Sequence, residues 1–121
     1  MRPIYKVEIV TRPEKLHELK KRFFEIGING MTITQVYGCG TQKGHTEVYR
    51  GNAFEVNMVP KVKVETVICA VPVEKLIEVA REVLNTGQFG DGKIFIYTLA
   101  NAVRIRTGEE GEDAILDPDE K

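Results

Sequence analysis

The chain has 121 residues, of which 42% are hydrophobic and 29% are charged, and these values are typical of one soluble globular domain. A formal net charge of -1 at pH 7 excludes a globally basic surface for nucleic acid or anionic membrane, so any anion site must be a local cluster. The two cysteines and two histidines form no close-spaced zinc motif, and the absence of a long apolar run predicts a cytoplasmic protein.

The first half of the chain predicts a strand, a helix and a second strand. Residues 4–10 alternate polar and apolar side chains, which indicates a strand with one solvated face. A helix is expected from Pro13 until Gly27 ends it. Its apolar stripe is Leu16, Leu19, Phe23 and Phe24. Residues 30–38 alternate again and predict the second strand.

The second half repeats this order. Residues 61–71 predict a third strand that runs from a solvated end into a buried one. Pro72 starts a second helix, which Gly87 closes, and residues 94–97 form the fourth strand. The apolar stripe of the second helix is Val73, Leu76, Ile77, Ala80, Val83 and Leu84.

Two β-α-β halves in sequence predict an α+β, ferredoxin-like fold, in which four antiparallel strands carry both helices on one face. The other sheet face would then expose one alternate set of apolar side chains from each strand. A monomer of this size should not leave such a surface open, so we expect the chain to associate with itself.

A long loop, residues 38–61, joins the two halves. It has no sustained apolar period and is much longer than an ordinary connection. Glycines are interleaved with basic and hydrogen-bonding side chains, which favours a functional, mobile arm. These side chains are Gln42, Lys43, His45, Tyr49 and Arg50.

Three clusters could bind an anion. The GDGK turn at residues 90–93 could present backbone amides to phosphate, although it could equally be an ordinary tight turn. Arg104 and Arg106 are two residues apart and would project on one side of an extended segment, either as an anion clamp or as a solvated edge. Lys43 precedes a glycine in the arm. Together the clusters could hold a triphosphate.

Four motifs resemble the PII signal-transduction proteins, the GlnB and GlnK group. They are TGQFGDGKIFI (86–96), GMTITQVYGCGTQKGHTEVYRG (30–51), MVPKVKVE (58–65) and VRIRTGEEGEDAI (103–115). The resemblance implies a homotrimer of ferredoxin-like subunits, each with a domain over residues 1–115 and a mobile T-loop at about residues 39–58. A short acidic tail, residues 116–121, follows.

The resemblance also implies ligands, because the three clefts between PII subunits bind ATP or ADP, and bind 2-oxoglutarate together with MgATP. The implied nucleotide residues are Val10, Thr32, Gly38, Gln42, Lys43, Val67, Gly90, Asp91, Gly92, Lys93, Arg104 and Arg106. The implied 2-oxoglutarate residues are Gln42, Gly44, Lys61 and Arg12. Gln42 would also lie at the Mg²⁺ of MgATP.

By the same resemblance the protein is a regulator and not an enzyme, and its T-loop shape controls its targets. These would be an ammonium transporter of the Amt type, glutamine synthetase or other nitrogen-metabolism proteins, contacted through Tyr49, Arg50 and Phe54. The protein would reach a membrane only through such a partner. Phe54 stands where the family has its modified tyrosine, and Asn52 where some members are phosphorylated. Both lack the required hydroxyl, which predicts control by ligands alone.

Three alternatives stay open from the sequence. One is a PII-like regulator that senses adenine nucleotides but not 2-oxoglutarate. Another is an ATP-using enzyme with this fold, although no pair of residues is placed as base and nucleophile. The last is an RNA-binding ferredoxin-like module, which the near-neutral charge and the lack of an aromatic RNP motif disfavour.

Overall fold

A four-stranded antiparallel sheet carries two helices on one of its faces. The computed structural model describes residues 2–41, 48–49, 52–53 and 56–117. The sheet consists of β1 (Ile4–Thr11), β2 (Thr32–Thr41), β5 (Val56–Ile68) and β6 (Gly92–Leu99), and two short strands, β3 (Val48–Tyr49) and β4 (Asn52–Ala53), pair separately. The helices are a 3-10 turn (Pro13–Lys15), α1 (Leu16–Glu25), α2 (Val73–Leu84) and the short α3 (Glu112–Ile115).

The strand order confirms the predicted ferredoxin-like fold. The order across the sheet is β2-β5-β1-β6, and every neighbouring pair is antiparallel. The first strand of each half therefore lies at the centre of the sheet. The second strand of each half lies at an edge, and a helix joins the two strands of each half.

The hydrophobic core lies between the sheet and the two long helices. Its buried members include Val7, Ile9, Val62, Val64, Leu19, Phe23, Leu76, Val79 and Ala80. The alternation along β1 and β5 and the three-to-four spacing along the helices both direct these side chains inward. Phe24, which we placed on the apolar stripe, is 68% exposed, so that prediction was wrong. The preceding residue, Phe23, fills the core. Consecutive side chains on an α-helix are rotated by about 100°, so Phe24 lies outside the direction of Phe23.

The strands beside the arm are longer than the sequence predicts. The antiparallel ladder continues from Gly38, which pairs with Val59, to Thr41, which pairs with Val56. Residues 38–41 and 56–61 of the predicted loop therefore belong to strands, because backbone pairing needs no apolar alternation once the two chains run side by side. The predicted third strand, conversely, ends at Ile68, three residues early. Residues 42–47, 50–51 and 54–55 lie outside the described part of the chain.

We call the sheet face opposite the helices the open face. It is not the apolar surface that we expected, because charged side chains occupy its centre. Lys6 and Glu8 of β1 lie beside Lys63 and Glu65 of β5, and these four residues form ion pairs. The aromatic rings of Phe95 and Tyr97 flank them on β6 and are a little less than half exposed. The open face is thus a mixed surface with a neutral charge balance at its centre.

The chain after β6 folds back as a tight hairpin and then α3. Val103 pairs with Glu110, and Leu116, which we assigned to the tail, is 7% exposed. Ordered packing therefore reaches at least this residue. Within the described ranges, no helix has both the length and the apolar character that crossing a membrane requires.

Candidate functional site

The strand register places six of the predicted binding residues on the open face. Val10 lies opposite both Lys63 and Lys93, and Thr32 lies opposite Glu65. Residues paired across strands point to the same face, and so do alternate residues along one strand. The face that carries the central ion pairs therefore also carries Val10, Thr32, Gly38, Lys61, Val67 and Lys93.

The predicted binding residues fall into two groups that lie at different levels along the strands. Lys93 is paired with Val10, whereas Val67 is paired with Lys6, four residues earlier on β1. At 3.3 Å per residue, these two levels are about 13 Å apart along the strands. One group, the turn group, consists of Val10, Arg12, Gly38, Lys61 and residues 90–93. The other, the far group, consists of Val67, of Thr32, whose level along the strands is midway between those of Val67 and Val10, and of Arg104, in the hairpin that follows β6.

The turn before β6 is held in shape by Asp91. Its carboxylate accepts hydrogen bonds from the Thr86 amide at 2.7 Å, the Thr86 hydroxyl and the Gly87 amide at 3.1 Å. The Thr86 hydroxyl is the main reason that the pKa of Asp91 is lowered. Because this carboxylate is engaged within the turn and the Asp91 carbonyl accepts from Thr11, the part of Asp91 left for a ligand is its backbone amide. The roles of Thr86 and Thr11, whose hydroxyl donates to the Asp91 carbonyl at 2.7 Å, were missed from the sequence.

Gly92 allows this turn to approach β1. Its φ is +107°, and a Cβ at this position would lie 1.9 Å from the Val10 carbonyl oxygen. Only glycine fits such a contact. The GDGK turn is therefore fixed against the end of β1, with Lys93 following it on the open face.

Two cations converge on the same turn. The Arg12 guanidinium donates from Nη2 to the Phe89 carbonyl, and Lys61 Nζ donates to the Gly90 carbonyl at 2.6 Å. Arg12 and Lys61 are the two cationic residues that the resemblance implies for 2-oxoglutarate. The structure brings both to one turn, although they are 49 positions apart in the sequence. Two cations at the carbonyls of adjacent residues are a suitable donor set for a dianion.

The prediction that Arg104 and Arg106 project together from an extended segment was wrong. The Gly108 amide donates to the Arg104 carbonyl at 2.8 Å, so the chain reverses there and Arg106 lies in an exposed turn. Arg104 instead donates from Nη2 to the carbonyls of Ala114 and Leu116, at 3.2 and 3.1 Å. Among the described residues, its buried Nε has no hydrogen-bond partner.

A cavity of about 260 Å³ lies beside the far group. It is bounded by residues 27–30, 66–71 and 114–117, and Val67 is on its wall. Arg104 holds the last of these segments through the carbonyls of Ala114 and Leu116. The cavity and the arginine therefore belong to the same end of the sheet.

Several predicted residues cannot be placed. Gln42, Lys43, Gly44, Arg50 and Phe54 lie outside the described residues, and so do the predicted Mg²⁺ contact and most of the partner contacts. Tyr49 is described in its backbone, which pairs with Asn52 in the β3-β4 hairpin.

The ferredoxin-like fold, the turn group and the far group define a class of small proteins that could bind a ligand between copies. Comparison with known proteins narrows this class. The family model "Nitrogen regulatory protein P-II" matches residues 4–109. The chain belongs to the PII family of nitrogen regulatory proteins, which are signalling proteins and not enzymes.

Relatives match along nearly the whole chain. The nitrogen regulatory PII-like protein of Bacillus subtilis is 49% identical over 93% of this chain and 97% of the relative. The nitrogen regulatory protein P-II of Rhodospirillum rubrum is 51% identical over 91% of this chain and 98% of the relative.

Solved structures agree with the fold. The structure of B. subtilis GlnK has a TM-score of 0.81 and 49% identity, covering 93% of this chain and 98% of that one. The B. subtilis GlnK-ATP complex also has a TM-score of 0.81, with 44% identity over 93% of this chain and 95% of that one.

Proposed function

We propose that this protein is a trimeric regulator that binds ATP or ADP and, with MgATP, 2-oxoglutarate, and that the bound ligands set the shape of its T-loop. The observation that carries this proposal is the division of the predicted binding residues into the turn group and the far group. In the proposed trimer the nucleotide lies between copies, where the turn group of one copy meets the far group of the next.

The turn group has the chemistry of a phosphate site. Lys93 stands at the start of β6 on the open face, and the turn before it carries exposed backbone. A lysine and amides in a fixed turn stabilise phosphate oxygens without large rearrangement. The similarity to a GlnK solved in complex with ATP supports this assignment.

The far group supplies an arginine and an apolar wall. Arg104 would pair with phosphate from a neighbouring copy, and Val67 and Thr32 would border the base. Arg104 donates to two main-chain carbonyls, which are weaker acceptors than phosphate oxygens, and its Nε lies 3.7 Å from the Glu109 carboxylate. We expect nucleotide binding to redirect this guanidinium.

The regulator would act on its targets through the shape of the T-loop. The ligands would favour one loop shape over another only through their different affinities for the two shapes, and a tenfold difference corresponds to about 1.4 kcal/mol per site. Gln42 would join the nucleotide side to the Mg²⁺ and 2-oxoglutarate. Tyr49, Arg50 and Phe54 would contact a nitrogen-metabolism target such as an Amt ammonium transporter or glutamine synthetase in the cytoplasm. Phe54 and Asn52 leave the T-loop without the modified hydroxyls of the family, so control would be by ligands alone.

Calorimetry and light scattering test the proposal directly. We expect a trimer that binds ATP and ADP competitively and binds 2-oxoglutarate when MgATP is present. Lys93→Met should weaken the binding of ATP at least about tenfold, which is the effect of losing one charge-assisted hydrogen bond. Lys20→Met, on the exposed side of α1, should leave the affinity for ATP unchanged. A protein that binds no adenine nucleotide would contradict the proposal.

One observation favours a second candidate, a regulator that senses nucleotides alone. Arg12 and Lys61 already donate to carbonyls of the turn, so an acid must compete for both. Nucleotide binding with no heat from 2-oxoglutarate at any MgATP concentration would support this candidate.

A further inference from the structure

The two halves of the turn before β6 are held in different ways. Asp91 and Gly92 are fixed to β1, since Thr11 donates to the Asp91 carbonyl and Gly92 packs against the Val10 carbonyl. Phe89 and Gly90 depend on side chains instead. Among the described residues, the hydrogen bonds from Arg12 and Lys61 are the ones that join Phe89 and Gly90 to the rest of the chain.

Gly90 makes room for this arrangement. Its φ is +95°, and a Cβ at this position would lie 2.7 Å from Arg12 Nη2. The guanidinium therefore lies directly against the turn backbone. Phe89 is fully exposed, so its side chain does not help to fix the turn.

We propose that Arg12 and Lys61 form an exchangeable latch: they hold the Phe89 and Gly90 carbonyls in the unliganded protein and release them when they bind the two carboxylates of 2-oxoglutarate. The inference rests on the proposed function, because it assumes that these two cations bind the acid. Arg12 and Lys61 then have a second role, which is to set the shape of the turn in the absence of the acid.

The exchange replaces neutral acceptors of Arg12 and Lys61 by charged ones. A carboxylate is a stronger acceptor for a guanidinium or an ammonium group than a neutral carbonyl is. The released carbonyls are on exposed residues, so water can replace the lost donors at little cost. The fixed position of Asp91 and Gly92 then acts as the anchor about which Phe89 and Gly90 move.

The latch would couple the two ligands through the turn itself. The same turn presents backbone to the nucleotide phosphates, so a change at Phe89 and Gly90 alters the nucleotide site. Such coupling is reciprocal, and each ligand changes the affinity of the other by the same factor.

A tryptophan at the turn can report the latch, because the chain contains no tryptophan. In a Phe89→Trp background, the introduced indole should show higher fluorescence anisotropy without ligand than in the same protein carrying Lys61→Met or Arg12→Met. Lys20→Met removes a charge from α1 and is the matched control, with unchanged anisotropy expected. Circular dichroism and light scattering establish that each variant is folded and assembled. Equal anisotropy in all four proteins would overturn the latch.

The second part of the experiment adds the ligands. MgATP with 2-oxoglutarate should lower the fluorescence anisotropy of the Phe89→Trp protein. Lys61→Met should remove this change and weaken the binding of 2-oxoglutarate at least about tenfold. If the acid binds by calorimetry and the anisotropy stays the same, the exchange is refuted while the proposed function stands. If neither nucleotide nor acid binds, the proposed function fails, and the ligand-free comparison still decides whether the cations hold the turn.

Discussion

Lys6 Nζ and Glu65 Oε2 form a salt bridge of 2.8 Å at the centre of the open face, between neighbouring strands of the sheet. Lys6 also lies 5.6 Å from the centre of the Tyr97 ring, and the Tyr97 hydroxyl donates to Glu8 at 3.2 Å. The hydrogen bond between the two partners is the main reason that the pKa of Lys6 is raised and the pKa of Glu65 is lowered. In the proposed trimer this pair would be covered, which makes each partner more dependent on the other.

The Lys6-Glu65 pair predicts an acid-sensitive contribution to stability. A carboxylate with a lowered pKa stabilises the folded chain above the ordinary glutamate pKa, about 4.3, and this contribution is lost as the pH falls through the lowered value. The raised pKa of Lys6 acts in the opposite direction, since its contribution is present below about pH 10.4 and lost as the pH rises further. Between these limits the pair is fully charged.

Glu65→Gln should therefore lower the urea midpoint at pH 7, and the difference from the parent should narrow steadily below about pH 4. Urea titrations at fixed ionic strength and several pH values measure this. Glu74→Gln, on the exposed surface at the start of α2, is the control and should change the midpoint little at any pH. A gap between Glu65→Gln and the parent that is as wide at pH 3 as at pH 7 would contradict the prediction.

The adjacent residues Phe23 and Phe24 give a direct test of the core. Phe23 is completely buried, whereas Phe24 is 68% exposed. Phe23→Ala should reduce the free energy of unfolding by about 3–5 kcal/mol, because it leaves a cavity between sheet and helices. Phe24→Ala should change it by less than about 0.5 kcal/mol. Chemical denaturation of the two variants measures both values, and similar losses would mean that the helix is rotated from its described position.

Much of the fold could be predicted from the sequence because its elements have strong local signals. The alternation in residues 4–10 and the glycines and prolines at the ends of the helices gave the order of elements. Phe24 was misplaced because a stripe that includes both Phe23 and Phe24 is also compatible with a helical period. The extension of β2 to Thr41 was missed because Gly38 and Gly40 carry no apolar pattern, and their pairing depends on the opposite strand.

The candidate site was predictable in its residue types but not in its connections. The positive charges and glycines were visible, but the sequence could not show that Arg12 and Lys61 meet at one turn. Arg104 and Arg106 were assigned to an extended segment because their spacing suggests one. The hairpin that separates them depends on the Gly108 turn and on pairing between Val103 and Glu110. Such contacts are tertiary, and spacing alone does not encode them.

Gly92 should tolerate no side chain. A Cβ there would lie 1.9 Å from the Val10 carbonyl oxygen, at a φ of +107°. Gly92→Ala must push β6 away from β1, and we expect a loss of about 3 kcal/mol or more in the free energy of unfolding.

Gly30→Ala is the matched control, because a Cβ at that position meets nothing within 4 Å and the φ of Gly30 is not positive. Its free energy of unfolding should differ from the parent by less than about 1 kcal/mol. Chemical denaturation of the two variants measures both free energies of unfolding. A Gly92→Ala protein as stable as the parent would show that the turn does not approach β1 in this way.

The proposed trimer predicts that assembly and nucleotide binding are lost together. Phe95 is 43% exposed on the open face and lies opposite Glu8, so Phe95→Glu places a second negative charge beside an existing one and removes an apolar contact. The variant should run as a monomer in light scattering and bind ATP at least about a hundredfold more weakly, since the turn group of a single copy no longer meets the far group of a neighbour. Phe24→Glu introduces the same charge on the exposed side of α1 and should keep both the trimer and the affinity. A monomeric Phe95→Glu protein with unchanged ATP affinity would mean that one copy contains the whole site, and the division into a turn group and a far group would then have no functional meaning.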